Sequence, residues 1–275
     1  MKDINQVKEI LDNFYVKQIN VKHKKNDTFK CESIYNEKGG LGDSIILTSI
    51  LPFIKVNNII LPDINEKYIN KNNLTHECSV SLSEIADNDW DGGHSIQRIQ
   101  RSLGLPVSIK PKGIINYDES KKIKGKVFIH WSNNTDWKRK IPNSLELEQK
   151  KIIREFLQKN NYIFVYYSDF FTINDIINNM ETCEYFLGID SGPMHIAAAL
   201  NLKSIVIIND PHKLIYLPKI KECDLPNSEW LYPQNVHLNR SGETELIPEF
   251  NYQNLVNAFN GNIYPYWKDD YLDIK

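Results

Sequence analysis

Apolar and polar positions alternate in FKCESIY, residues 29–35, and this period of two predicts a strand. The glycine-rich stretch NEKGGLGD follows, and then the apolar run SIILTSILPFIK, 44–55, which predicts a helix. A strand, a glycine turn and an apolar helix in that order make a βα unit. VNNIILPD, 56–63, predicts a second strand, and 64–93 is polar without a usable period. SIQRIQRSLGL, 95–105, predicts a helix with Ile96, Ile99 and Leu103 on one face and Arg98 and Arg101 on others. Residues 3–14 predict a short helix ahead of all this.

The charged stretch ESKKIKGK, 119–126, marks a boundary between two halves. Beyond it come a strand in KVFIHW (126–131), a helix capped by Asn143 with Glu146 three residues on and running to Lys159, and a strand in YIFVYY (162–167). Thr172 with Asp175 opens a helix at 173–181. EYFLGI (184–189) is a strand, 192–200 a helix, KSIVIIN (203–209) a strand, 211–250 loop-rich and 251–260 helical. Strands alternating with helices predict an α/β fold with parallel sheets covered on both faces. The expected division is 1–122 and 123–275, each a Rossmann-like layer, with the last helix able to pack back on the first domain.

Composition narrows the function classes. A chain of 275 residues, 41% hydrophobic and 25% charged, suits one large domain or two modest ones with a real core. A net charge of −2 gives no general attraction to nucleic acid or an anionic membrane, so at most peripheral membrane contact is expected. No run of about 18 apolar residues offers a membrane span. The stretch MKDINQVKEILDNFY lacks the apolar core of a secretion signal, and the expected setting is cytoplasmic. Cys31, Cys78, Cys183 and Cys223 are scattered, with neither zinc-like spacing nor the density of a disulfide framework.

In open parallel sheets ligands bind beyond the carboxyl ends of strands, and three polar clusters fall there. In GGLGD, the residues Gly39, Gly40 and Gly42 permit close backbone approach, and Asp43 sits near the first turn of the next helix. Asp43 could be a helix cap or a catalytic acid; the stretch is neither a Walker loop nor a G-x-G-x-x-G fingerprint. In DSGPMH, Asp190, Ser191 and Gly192 precede a helix whose N–H groups and dipole favour an anion such as phosphate. His195 could donate to that anion or serve as a buried structural histidine, and Ala197, Ala198 and Ala199 keep the helix slim against the sheet. In HWSNNTDWKRKIP, the residues Lys138, Arg139 and Lys140 are either a solvated cluster or a clamp on a diphosphate. Trp90, Trp131 and Trp137 could stack on a sugar or simply pack at the core's surface. Three clusters at equivalent places suggest a cleft between two domains.

GGLGDSIILTSILPFIK, KRKIP and FLGIDSGPMHIAAALNLKSIVI together resemble, in order and spacing over about residues 30–210, the motifs of the heptosyltransferase-like glycosyltransferases of family 9. The resemblance implies the GT-B arrangement, two Rossmann-like domains facing across a cleft. It implies an inverting, metal-independent transfer of a sugar, heptose or related, from a nucleotide-diphosphate donor such as ADP-heptose. The acceptor would be a glycan, a lipid-linked acceptor of lipopolysaccharide biosynthesis or a protein. By the same resemblance Asp43 is the general base and Asp190, Ser191, Gly192 and His195 bind donor. Arg139, flanked by Lys138 and Lys140, takes the motif's lysine position. Trp90, His94 and Arg98 are acceptor-side candidates. Ile141 stands where the motif has Trp, and NDPHKLIY lacks the usual Gly-Pro-Thr. Two rivals stand beside this reading: a degenerate module that binds a nucleotide sugar or glycan without turnover, and a dinucleotide-dependent oxidoreductase, which the missing G-x-G-x-x-G disfavours.

Overall fold

The computed structural model describes residues 29–35, 41–51, 54–60, 79–81, 94–102, 105, 108, 111–132, 144–208, 232, 234–240 and 247–263. Its elements in chain order are β1 (Phe29–Tyr35), α1 (Leu41–Thr48), β2 (Ile54–Ile60), β3 (Ser79–Ser81), α2 (Ser95–Ser102), β4 (Ile123–His130), α3 (Leu147–Lys159), β5 (Ile163–Tyr166), α4 (Ile173–Glu181), β6 (Cys183–Ile189), α5 (Gly192–Ala199), β7 (Lys203–Ile208), β8 (Val236–Asn239) and α6 (Tyr252–Phe259). The strands form two sheets, one in the order β2-β1-β3 and one in the order β5-β4-β6-β7-β8. Every strand pair in both is parallel, as the strand–helix alternation predicts. The helix expected at 3–14 lies outside the described residues.

The second sheet buries both faces, so its strands read as continuous apolar runs whose residues part by a period of two. Phe128, Phe186, Val206 and Ile208 point into one core, shared with α4 and α5. Val127, Ile129, Leu187, Ile205, Ile207 and Leu238 point into the other, shared with α3 and α6. Ala197, Ala198 and Ala199 are buried, and α5 lies on β6 and β7 as their small size allows. The first core also takes in Ile45, Ile46, Leu47 and Ile50 of α1 and its following turn, with Ile96 and Ile99 of α2. Elements from before and after the charged boundary stretch therefore share one apolar core.

Several element ends differ from the sequence expectation, each for a local reason. α1 stops at Thr48, and i→i−3 bonds from Ser49, Ile50 and Leu51 tighten the exit before Pro52. Ile54 and Lys55, expected in that helix, belong to β2. α2 ends at Ser102, short of the expected 105. β4 begins at Ile123, inside the expected boundary; the register shifts between Ile123 and Val127, where Gly125 has φ +72. α3 is capped by Glu146, whose N–H donates to Gln149 Oε1 at 3.0 Å. The expected cap Asn143 lies outside the described residues. Leu145 N–H donates to Trp131 O, which holds that residue extended and out of the helix. Thr172 caps α4 as predicted, accepting from Asp175 N–H. β8, four residues long, was hidden in a stretch read as loop.

α3 and α5 leave through asparagines with positive φ, Asn161 and Asn201 (both φ 56). After α5, Leu202 N–H returns to Ala197 O and Asn201 N–H to Ala198 O, a Schellman exit that turns the chain at once into β7.

Gly188 on β6 lies against β4: a Cβ there would stand 2.5 Å from His130 O and 2.8 Å from the Phe186 ring. Gly188→Ala is expected to destabilise the fold by about 1–3 kcal/mol through overpacking. Urea unfolding of the variant checks this; an unchanged midpoint would show that β4 and β6 can part without cost.

Candidate active site

In the larger sheet β5 and β6 lie on opposite sides of β4. The connections leaving β4 and β6 therefore lead to opposite sides, and it is at the carboxyl ends of such strands that open α/β sheets take ligands. His130 is the last residue of β4, and Asp190, Ser191 and Gly192 follow the last residue of β6. The smaller sheet repeats the geometry, with β1 between β2 and β3 and α1 leaving its carboxyl side.

The two helices that begin at these places meet. A Cβ on Gly42, in the first turn of α1, would lie 2.6 Å from His195 Cδ2 and 2.9 Å from its Nε2. A Cβ on Gly192 would lie 3.3 Å from Leu41 Cβ. The absent side chain of Gly42 thus makes room for the His195 ring, and the first turns of α1 and α5 touch. Asp43, one residue on in α1, is partly exposed in this same turn. From Phe186 to Leu200 only Asp190 and Gly192 are partly exposed, with all other residues buried. The structure therefore brings together Gly42, Asp43, Asp190, Ser191, Gly192 and His195, from two motifs some 150 residues apart.

His195 is 4% exposed, and its Nδ1 lies 2.6 Å from the Tyr232 hydroxyl. Burial pushes its pKa down to about 3, so the ring is neutral. Tyr232, fully buried, has its pKa raised well above the ordinary value, by burial first and by the Asp190 charge second; it stays a hydroxyl. His94 packs on it from the other side, ring centroids 4.4 Å apart. Ile96 N–H donates to His94 Nδ1 at 3.2 Å, which places the ring proton on Nε2, a buried atom with no hydrogen-bond partner among the described residues. Burial, and then the neighbouring His195, lower the His94 pKa. His94 and Arg98, the acceptor-side candidates on and before α2, are both buried.

Ser191 is the N-cap residue of α5 but does not cap it. Its hydroxyl donates to Ile189 O at 3.1 Å and lies 2.8 Å from His130 Nδ1. His130 is buried, with Tyr167 edge-on at 4.5 Å, and burial lowers its pKa to about 4 against the opposing effect of a backbone hydrogen bond with Ser132. Trp131, half-buried, lies 4.7 Å from the Tyr166 ring, with the Arg154 guanidinium over it at 5.0 Å. Gly39, Gly40, Trp90, Trp137, Lys138, Arg139 and Lys140 fall outside the described residues.

Sequence reasoning missed His130 and Tyr232. His130 had one usable signal, a polar residue closing the apolar strand VFIHW. Tyr232 had none, since a lone tyrosine in a loop-rich stretch says nothing of its partners.

Residues 146–214 match the family described as Glycosyltransferase family 9 (heptosyltransferase). Among solved structures, the glycosyl transferase family 9 protein from Veillonella parvula DSM 2008 is similar, with a TM-score of 0.54, 11% identity, and 86% of this chain and 98% of that chain covered. The heptosyltransferase WaaC of E. coli with ADP gives a TM-score of 0.51 and 11% identity, covering 84% of this chain and 99% of that one. Comparison with curated proteins gives no match. The two structures show a shared fold, and the family match takes in the DSGPMH motif, where the resemblance read from sequence holds. The enzyme class follows with it: a glycosyltransferase.

The neutral buried histidines make stability depend on pH. His130, His195 and His237 are held at about 4, 3 and 3, against an ordinary value of 6.5. Below pH 6.5 the unfolded chain takes up protons that the folded chain refuses, so stability rises with pH across this window and falls on acidification. Moving from pH 7 to pH 5 should cost roughly 2 kcal/mol per histidine. Urea unfolding at the two pH values checks it, and equal stabilities would show that the rings are not buried neutral.

Proposed function

We propose that the protein is an inverting, metal-independent glycosyltransferase of the GT-B arrangement. It moves heptose or a related sugar from a nucleoside-diphosphate donor, ADP-heptose being the donor the resemblance implies, to a glycan, a lipopolysaccharide-type acceptor or a protein. On this reading residues 1–122 form the acceptor side, residues 123–275 the donor side, and the enzyme works in the cytoplasm. Among the described residues no helix is long and apolar enough to cross a membrane.

One observation supports the reading above the rest: α1 and α5 begin beside each other, with Gly42 against His195. This sets the start of the Asp43 helix next to the Asp190–Gly192 turn. Asp43 takes the proton of the acceptor hydroxyl. The freed oxygen forms a bond to the anomeric carbon from the face opposite the donor phosphate. The bond from that carbon to the phosphate oxygen breaks, and the nucleoside diphosphate leaves with its electron pair. The start of α5 turns its positive dipole end toward the leaving diphosphate. Lys138, Arg139 and Lys140, which follow β4 in the sequence, supply further positive charge. His195 acts through position: tied to Tyr232, it fixes how closely Gly42 can approach α5.

Asp43→Asn is expected to lower the transfer rate by about 10² to 10⁴ while leaving nucleoside diphosphate affinity nearly unchanged, as loss of a general base does. Full transfer activity in the variant would reduce Asp43 to a residue of the helix start. Transfer should also persist in EDTA. Activity lost in chelator and regained with magnesium or manganese would overturn the metal-independent mechanism. Release of nucleotide from a nucleotide sugar, dependent on acceptor, is the assay for both.

A further inference from the structure

Serine at a helix N-cap ordinarily turns its oxygen toward the N–H groups of the first turn. Ser191 has the extended backbone of an N-cap, φ −171 and ψ 171, yet makes no such bond. Its hydroxyl lies instead between the ends of two strands, 3.1 Å from Ile189 O at the end of β6 and 2.8 Å from His130 Nδ1 at the end of β4. With the hydroxyl's one proton given to Ile189 O, it is the Nδ1–H tautomer of His130 that donates to the hydroxyl and keeps it there. The ring itself cannot swing away, being buried and packed edge-on by Tyr167. β4 and β6 are adjacent strands, with His130 opposite Gly188, and the missing side chain of Gly188 lets the His130 backbone come close.

The consequence falls on the start of α5. Pro193 brings no N–H, and Met194 N–H donates to Ser191 O. Gly192 stays partly exposed at the open end, beside Asp190. A Ser191 hydroxyl free to rotate would swing off the strand ends into the space in front of Gly192.

We infer that His130 is a positioning residue for the donor site: by holding the Ser191 hydroxyl on the strand ends, it keeps the start of α5 open to the donor's diphosphate. The inference rests on the donor reading above. His130 itself need not touch the donor.

The test is a double-mutant cycle on the full chain, with ADP as the probe in calorimetric titration and thermal unfolding measured for every variant. His130→Ala should weaken ADP binding by about tenfold or more, the scale of a hydrogen bond to a charged group. His130→Asn, whose amide can reach the place of Nδ1, should restore affinity to within about threefold of wild type, against the same scale. In a Ser191→Ala background, adding His130→Ala should change affinity by less than about twofold, because the group it controls is gone. Should His130→Ala fail to fold, His130→Leu, which fills the volume without a polar atom, takes its place in the cycle. An equal loss in both backgrounds, or no loss with Ser191 present, overturns the inference and leaves the donor reading standing. A folded wild type that does not bind ADP overturns the donor reading, and the inference with it.

Discussion

The contact on which the site depends is the meeting of α1 and α5 at Gly42 and His195. An imidazole packed where a Cβ would stand 2.6 Å from its carbon leaves no freedom in the spacing of the two helices. Any side chain at Gly42 would push them apart. His195 cannot yield, because it is buried and its Nδ1 is committed to Tyr232. Interiors are close-packed and transmit strain rather than absorb it. The relation of Asp43 to the Asp190–Gly192 turn is thus fixed by the packing of α1 on α5.

Around this contact the chain buries an unusual amount of imidazole. His94, His130, His195 and His237 are all inside. Each is neutral for the same reason, the cost of charging a ring removed from water. At His130 and His195 the neutral imidazole holds a hydroxyl at a fixed point without adding charge. Among the described residues, both ring nitrogens of His237 and Nε2 of His94 are buried without a hydrogen-bond partner.

The carboxyl ends of β4 and β6 carry the second constraint. Strand order puts them side by side with their connections leading to opposite sides, which is a property of topology. His130 and Ser191 face each other only because β4 and β6 pair in register, His130 opposite Gly188. The turn after β6 is then shaped by a residue on another strand. This is why Ser191, a good capping residue by type, does not cap.

Most elements of the second half were legible in the sequence because their signals are local. The apolar runs of β6 and β7, the Thr172 cap and the alanines of α5 each act within a few residues of themselves. The Asp43 and Asp190–His195 motifs were legible too, since a glycine turn before an apolar helix needs no tertiary context. Where local signals compete, the reading slipped: an apolar run such as SIILTSILPFIK has no period that separates helix from strand, and four residues of β8 are too few to show one. Tertiary structure alone decided which side chains meet. Tyr232 reaches His195 across 37 residues and His130 reaches Ser191 across 61, and neither pairing leaves a trace in local composition. Strand order and close packing set those meetings, and both are properties of the whole chain in space: the sequence determined the pieces and their polar tips, and the sheet's order decided which tips face each other.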